Sequence, residues 1–482
     1  MDNLTFYLVF LIFFSLLIFV IVKRHKNQDS FSEYSVADRS SGTLAFAFAF
    51  AGRWFVGSIF TVWFVMAAEH GIYAQYLTLY TIGAIIMLYI FGKPISNLGK
   101  KYNLETQADF IELRYGSRLF KKIFACLTLI FWVPWVILEL KTIGNAISAA
   151  SNYSIEYNIG VIFVTLIIII CCYYGGVRAI NNGVIVQASI VFIVGVVCSY
   201  FFIWKVFGGV CDMLAQISVE RPDLLELDNS AGHKHDWVSA TLSGALGSII
   251  WPGMFVLIYS AKSPKVIKKS TPIIIFMLIP PIVLILLLGM GASLILGSEA
   301  SNLAGLLIIA EKYGNPLILA ILGVSTVAGS MSMCSAVFNV AGNIVAKDIN
   351  PHYNLNKRDN ALKVAKVATV TVGLIALWIA TIIIPNLSSI VFLMYSFIIQ
   401  PGVPIILGLC WRRSNLYSAV AGMTIGLIVT IVATLYPEIV TVMNGLSSGI
   451  LGLAANIIVH LIISMVTPKY EKVDEIFHNR YK

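Results

Sequence analysis

Two side chains that could carry chemistry lie deep inside otherwise apolar stretches of the chain. Arg53 sits within the run from Ala51 to Gly57, and Glu139 lies in a second apolar run with Lys141 two residues later. A guanidinium offers a planar fork of N–H donors that suits a carboxylate or a phosphate, whereas a buried carboxyl or amino group can exchange a proton near neutral pH. Because an arginine at the centre of a membrane helix costs about 2.5–3.5 kcal/mol even on a lenient scale, we expect Arg53 to have a partner.

The elements that must position these groups are membrane-spanning helices. Of the 482 residues, 58% are hydrophobic and only 12% are charged, and the mean hydropathy is +0.86. Apolar runs of about 20 residues, the length that crosses the hydrocarbon layer, recur along the whole chain. We predict an all-α polytopic protein with about 13 transmembrane helices. The predicted spans are about 5–23, 42–68, 73–96, 119–150, 155–175, 183–206, 239–261, 272–297, 304–345, 361–384, 387–410, 416–436 and 445–466.

The distribution of basic residues predicts the orientation of these spans. Most of the 33 lysines and arginines fall in alternate connecting segments, and such segments are retained in the cytoplasm. We therefore expect the N-terminus outside and the C-terminus in the cytoplasm of a plasma or inner membrane. The net charge of +9 is explained by this topology, so we expect membrane lipid and a small-molecule solute as partners and no nucleic acid. The sequence does not decide between a monomer and a homodimer.

Enzyme chemistry has no support in the sequence. The chain offers no paired nucleophile and base, no phosphate-binding loop and no cluster with metal-ligand spacing, and its seven cysteines have neither a disulfide framework nor metal-site spacing. We predict that the protein is not an enzyme and that it holds no organic cofactor or catalytic metal.

Four segments resemble those of the sodium/solute symporter family. The segment from Cys172 to Gln187 is similar to a signature of that family, and segments 102–117, 260–269 and 401–415 resemble its other recurring motifs in the same order. The resemblance implies a LeuT-type fold, with two inverted five-helix repeats and a binding site at the membrane midplane where core helices 1 and 6 are broken. One transporter domain would fill residues 1–482, with the following parts: an extra helix at 5–23, a first repeat at 42–206, a second at 239–410, two helices within 416–466 and a cytoplasmic tail at 467–482.

The predicted helix breaks lie where glycine and proline cluster. Core helix 1 would be 42–68, with its break near Ala51–Gly57, and core helix 6 would be 239–261, with breakers from Gly244 to Gly253. The simpler alternative is that these small residues only allow close helix packing. If the helices are broken, Trp54 and Trp251 lie beside the breaks, and Tyr395 matches a tyrosine of core helix 10 in similar transporters. The predicted substrate-binding residues are Arg53, Trp54, Glu139, Trp251 and Tyr395.

The family's main sodium site is only partly retained. By resemblance, two carbonyls of core helix 1 and three oxygens of core helix 8 would hold the ion. The equivalent positions here are Gly52, Phe55, Gly329, Ser332 and Met333. A methionine thioether replaces one hydroxyl, and sodium prefers hard oxygen ligands. Many sodium-coupled relatives also have Thr-Asp where this chain has Gly183 and Val184, so we expect sodium binding to be weak.

Three roles for Arg53 stay open at this stage. It could bind an acidic group on the substrate, supply the positive charge that sodium supplies in relatives, or pair structurally with Glu139 or with free carbonyls. We predict a secondary transporter of a small polar, anionic solute that works by alternating access, with sodium coupling weakened or absent and Na⁺ or H⁺ as the possible coupling ion. The alternatives are an ordinary sodium/solute symporter and a transporter-like sensor that signals through a separate partner.

Overall fold

Twenty-one α-helices follow one another along the residues that this computed structural model describes, which are 3–23, 31–227, 233–350, 358–382 and 387–480. The helices up to residue 220 are α1 (Leu4–Lys23), α2 (Phe31–Val36), α3 (Thr43–Trp54), α4 (Val62–His70), α5 (Tyr76–Lys101), α6 (Gln107–Tyr115), α7 (Arg118–Ala150), α8 (Tyr157–Phe207) and α9 (Val210–Glu220). The later helices are α10 (His233–Gly247), α11 (Pro252–Ser260), α12 (Pro264–Leu296), α13 (Gly305–Tyr313), α14 (Pro316–Ile344), α15 (Arg358–Thr381), α16 (Leu387–Ile398), α17 (Gly402–Cys410), α18 (Leu416–Leu435), α19 (Pro437–Val442), α20 (Ser448–Val466) and α21 (Val473–Asn479).

The all-helical membrane architecture is confirmed, but the number of spans is not. Ten stretches within the described ranges are long and apolar enough to cross a membrane, or eleven if α10 and α11 form one bent span. The count is lower than the predicted 13 because the stretches 57–101 and 157–207 are each counted once, although each includes parts of two predicted spans. The 51 residues of α8 would extend about 75 Å as a straight helix, more than twice the hydrocarbon thickness, so α8 must change direction. Gly176 has non-helical dihedral angles (φ 54°, ψ −171°) and divides it.

Helix α14 forms the centre of the bundle. Eighty-three per cent of its most apolar window is buried, compared with 22% for α1, whose leucines and isoleucines are largely exposed. Its sequence is rich in glycine, alanine and serine, which let neighbouring backbones approach closely. It packs against α3, α7, α8 and α15. Side chains on α14 are therefore well placed to build an interior site.

Both predicted helix breaks are confirmed. Helix α3 ends at Trp54, the next two residues leave helical geometry, and one 3-10 turn at Gly57–Phe60 precedes α4. Helix α10 ends at Gly247, and a 3-10 turn and the extended Trp251 separate it from α11, which starts at Pro252. The α10–α11 pair is bent by 40°. A proline at the first helical position and glycine-rich joints explain why the sequence breaks here.

An isolated parallel β-bridge joins the ends of the two broken helices that lie away from the breaks. Ser41, before α3, pairs with Ala261, after α11. The Ser41 amide donates to the Ser260 carbonyl at 2.9 Å, and the Lys262 amide donates to the Ser41 carbonyl at 2.9 Å. The two broken helices are thus connected through their backbones.

Candidate functional site at the broken helices

The break in the first broken helix presses directly on the backbone of α14. A Cβ atom added at Gly329 would lie 2.7 Å from the Gly57 nitrogen and 3.0 Å from the Val56 carbonyl carbon. A Cβ atom at Gly57 would in turn overlap the Thr326 carbonyl and the Ser330 hydroxyl. Glycine on both sides is therefore what allows the non-helical residues after α3 to reach α14.

Three of the five predicted ion-site residues meet at this contact. The Ser332 hydroxyl hydrogen-bonds to the Gly52 carbonyl and lies 3.1 Å from the Gly329 carbonyl. Phe55, the first residue after α3, and Met333 of α14 are also buried, with 3% and 2% of their surfaces exposed. The arrangement therefore brings together hydroxyl and carbonyl oxygens from α3 and α14.

Glu139 lies in the interior beside the same break. Its exposed fraction is 0%, and its carboxylate accepts hydrogen bonds from the Ser58 hydroxyl, from the Ser58 amide at 3.4 Å and from the Ser330 hydroxyl at 2.6 Å. The carboxylate on α7 thus joins the 3-10 turn to α14. Within the described part of the chain, no lysine, arginine or histidine nitrogen lies within ion-pair distance of it.

Arg53 does not form the ion pair with Glu139 that the sequence suggested. The guanidinium is 7% exposed, and its Nη2 donates to the Asn181 Oδ1 of α8 at 2.9 Å. Its Nε and Nη1 have no hydrogen-bond partner among the described residues. The physical reason is rotation of the helix: Arg53 faces α8 at the end of α3, whereas Glu139 reaches Ser58, which lies beyond the break.

The three predicted aromatic residues belong to one interior cluster, in which Trp54 and Tyr395 are buried and Trp251 is half-buried. The residues of this cluster, which we call the aromatic cluster, are Trp54, Tyr80, Trp132, Trp135, Trp251 and Tyr395. Ring centroids are 5.4 Å apart for Trp54 and Tyr80, and 6.1 Å for Tyr80 and Tyr395. Trp135 then lies 6.1 Å from Tyr395 and 5.2 Å from Trp251. The cluster therefore connects α3, α5, α7 and α16 to the second helix break.

Two indole donors of this cluster are unused. Trp132 and Trp135 are 2% and 3% exposed, and the Nε1 of each lacks a hydrogen-bond partner among the described residues. By contrast, the Trp54 Nε1 donates to Thr81 at 2.9 Å. Buried donors without acceptors are unusual. The α7 face that carries these indoles also carries Glu139, because residues spaced by three and seven lie on one side of a helix.

A second charged cluster lies where α6, the start of α7 and the end of α14 meet. Lys121 lies 2.8 Å from Asp109 and 3.2 Å from Asp348, and Lys347 lies 2.8 Å from Asp109 and 2.6 Å from Glu105. Burial would raise the pKa of the Asp109 carboxyl, but the ammonium groups of Lys347 and Lys121 outweigh it and hold that pKa well below its usual range. These ion pairs attach α6, which connects α5 to α7, to the end of the central helix α14.

The sequence matches a known protein family over most of its length. The sequence profile of the sodium:solute symporter family matches residues 34–426. The chain belongs to the sodium:solute symporter family. Among family relatives of Bacillus subtilis (strain 168), the uncharacterized symporter YhjB is 25% identical over 474 residues, which cover 94% of this chain and 95% of YhjB. The osmoregulated proline transporter OpuE is 23% identical, with 87% and 84% coverage.

Solved structures of symporters share the fold. A Na⁺-coupled sialic acid symporter in a substrate-bound, outward-open state has a TM-score of 0.81 and 16% identity, and the match covers 96% of this chain and 98% of that chain. Mhp1, a nucleobase-cation-symport-1 family transporter in a closed conformation, has a TM-score of 0.59 and 12% identity, with 94% and 99% coverage. At these identities the likeness shows the fold alone. This sodium:solute symporter family member is therefore an integral membrane transporter of LeuT-type fold, not an enzyme.

Four residues of the site escape sequence reasoning in this family member. Ser58, Ser330, Asn181 and Tyr80 supply the contacts of Glu139, Arg53 and Trp54, yet serine, asparagine and tyrosine are common in membrane helices. The sequence did contain one signal for these contacts, namely two serines, Ser330 and Ser332, close together in the apolar α14. Ser330 donates to Glu139, and Ser332 donates to the Gly52 carbonyl.

Proposed function

We propose that this symporter-family protein moves a small polar anion across the membrane by alternating access and that sodium drives it weakly or not at all. The solute would sit between the two helix breaks, against the aromatic cluster. Its two inverted repeats would be 42–206 and 239–410, with membrane lipid around the exposed apolar helices. The basic residues of alternate connections support an external N-terminus and a cytoplasmic C-terminus.

The observation that carries the proposal is the buried, underused guanidinium of Arg53. Two of its three nitrogens lack acceptors among the described residues, and none of the described carboxylates lies within ion-pair distance. A buried charge of this kind is costly unless it is paired. A solute carboxylate or phosphate would supply the missing charge and accept from the planar fork. The unpartnered indole N–H groups of Trp132 and Trp135 add two further donors near the second break.

The neighbourhood of Gly52 supports weak sodium coupling. The Val184 side chain, which stands where many relatives have an acidic residue, packs against Gly52. The Ser332 hydroxyl is hydrogen-bonded to the Gly52 carbonyl, and the adjacent Met333 offers sulfur instead of a second hydroxyl oxygen. The fixed positive charge of Arg53, the residue after Gly52, would repel a metal cation bound by the Gly52 carbonyl.

The experiment that tests the proposal combines a solute screen with transport. Purified protein would be screened for thermal stabilisation by carboxylates, phosphate esters and neutral polar solutes of similar size, because a bound ligand stabilises the folded state. Solutes that bind would then be tested for uptake into proteoliposomes with a sodium gradient, a proton gradient or neither. We expect an anion to bind and its uptake to respond little to sodium.

The matched variants are Arg53→Gln and Arg118→Gln. Loss of one charge-assisted hydrogen bond is worth about 1.5–3 kcal/mol, so Arg53→Gln should weaken solute binding by about 10–100-fold. Arg118 has a side chain that is 90% exposed, and its substitution should change nothing. Unchanged affinity in Arg53→Gln rejects the anion proposal, strong sodium stimulation of the wild type rejects weak coupling, and binding without uptake indicates a sensor.

A further inference from the structure

The carboxylate of Glu139 forms a polar site that is separate from the Arg53 guanidinium. Its hydrogen bonds come from neutral groups, among them the hydroxyl and amide of Ser58 and the hydroxyl of Ser330. The three residues come from different elements: α7, the 3-10 turn after the first break, and α14. Removal of a carboxylate from water without a cation is expensive, so a buried acid of this kind binds a cation or a proton.

The geometry favours a proton over a metal ion. Oxygen ligands of ions such as calcium lie about 2.3–2.6 Å from the metal, which holds neighbouring ligand oxygens farther apart than hydrogen-bonded ones. Here the Ser330 Oγ lies 2.6 Å from the Glu139 Oε2, and the Ser58 hydroxyl is hydrogen-bonded to the other carboxylate oxygen. The carboxylate and both hydroxyls are therefore in direct hydrogen-bond contact. This is the arrangement expected of oxygen atoms that share protons.

Other titratable groups around Glu139 are poor candidates for the same role. Cys334 of α14, Tyr80 of α5 and Tyr395 of α16 lie close enough to interact with it electrostatically, but thiols and phenols are ordinarily protonated at neutral pH. The 3-10 turn itself has the sequence Gly-Ser-Ile-Phe and presents no titratable side chain. Lys141 is two residues from Glu139 on α7 and lies on another side of the helix.

We propose that Glu139, held by Ser58 and Ser330, is a proton-binding site whose occupancy couples proton movement to solute transport. This inference rests on the proposed transport function. An ionised carboxylate accepts charge-assisted bonds from Ser58, and these are about twice as strong as neutral ones. Protonation of Glu139 weakens that hold and releases the turn after the first break from α7 and α14. Since the broken helices move during alternating access, the proton on Glu139 changes the balance between the two access states.

The test compares Glu139→Gln with Glu311→Gln in proteoliposomes that contain the transported anion. Gln has the shape of the protonated acid but cannot release a proton. We expect a proton gradient to drive uptake by the wild type, and Glu139→Gln to lose about 10-fold or more of that stimulation because its side chain cannot release a proton. Glu311, which is exposed on α13, should tolerate the change. Normal proton-driven uptake by Glu139→Gln, or a wild type driven only by sodium, overturns the inference.

A second measurement does not require a known solute. Infrared difference spectra of purified wild type, recorded at two pH values, should show a change in the C=O stretch of a protonated carboxylic acid, because an acid that releases its proton loses this band. Other buried carboxyls, such as Asp348, contribute equally to every protein, so the informative spectrum is the difference between the wild type and a variant. The difference between wild type and Glu139→Gln should contain such a band, and the difference between wild type and Glu311→Gln should contain none. Absence of the band from the Glu139→Gln difference refutes the proton site. Absence of uptake for every solute, together with a titrating band, would reject the transport proposal and leave the proton site standing.

Discussion

A methyl group added at Gly329 should disable transport more than it destabilises the fold. The added Cβ of Gly329→Ala would lie 2.7 Å from the Gly57 nitrogen, whereas ordinary contact begins at 3.4 Å. The turn after the first break would therefore have to retreat from α14 by about 0.7 Å, and no flexible side chain can move instead, because the nearest atoms all belong to the backbone.

The retreat would separate groups that now meet. The Ser58 amide already lies 3.4 Å from the Glu139 carboxylate, so a further shift of this size breaks that hydrogen bond. A displacement of about 1 Å can cost about 100-fold in rate when positioning matters, and we expect a loss of that order in solute uptake. Overpacking in an interior typically costs about 1–3 kcal/mol, so the protein should still fold.

The matched control is Gly42→Ala. Gly42 precedes α3 with an extended backbone, and an added Cβ there would meet nothing within 4 Å. Uptake by proteoliposomes and thermal unfolding of the purified protein would be measured for both variants. If Gly329→Ala transports as well as Gly42→Ala, the contact between the break and α14 does not position the site, and the reasoning fails.

Two further predictions concern the ion site and the charged cluster. Met333→Ser combined with Val184→Asp restores hard oxygen ligands, so sodium should stimulate uptake about 10-fold more than in the wild type; equal sodium responses of the two proteins would contradict the reading of these residues. Asp109→Asn leaves Lys121 and Lys347 without their shared carboxylate and should cost about 3 kcal/mol. Because the pKa of Asp109 is lowered in the folded state, its stabilising effect is complete above the ordinary carboxyl pKa of about 4 and is lost as the pH falls below that value. Thermal unfolding should therefore show that the wild type loses its stability advantage over Asp109→Asn below about pH 4. An advantage that persists in acid would refute this prediction.

The helix breaks could be predicted because their cause is local. A proline at position 252 and glycine-rich stretches near 52–57 and 244–253 leave the chain few ways to continue a regular helix, and the structure breaks there. The number of spans could not be read off so well. The sequence suggested a loop between 175 and 183, whereas one residue, Gly176, divides a helix that is otherwise continuous. A single glycine gives no composition signal.

The partners of the buried charges could not be predicted, because they depend on the rotation of separate helices. Sequence spacing placed Arg53 and Glu139 correctly in the interior. It could not show that Arg53 turns to Asn181 and that Glu139 turns to Ser58 and Ser330. Such contacts join residues up to 191 positions apart, and helix packing angles are set by all the side chains at an interface.

The β-bridge between Ser41 and Ala261 couples the two broken helices mechanically. Because backbone hydrogen bonds join Ser41, ahead of α3, to the residues around the end of α11, a tilt of either half-helix is transmitted to the other. Displacement of only one of the two half-helices would therefore require both backbone hydrogen bonds to break.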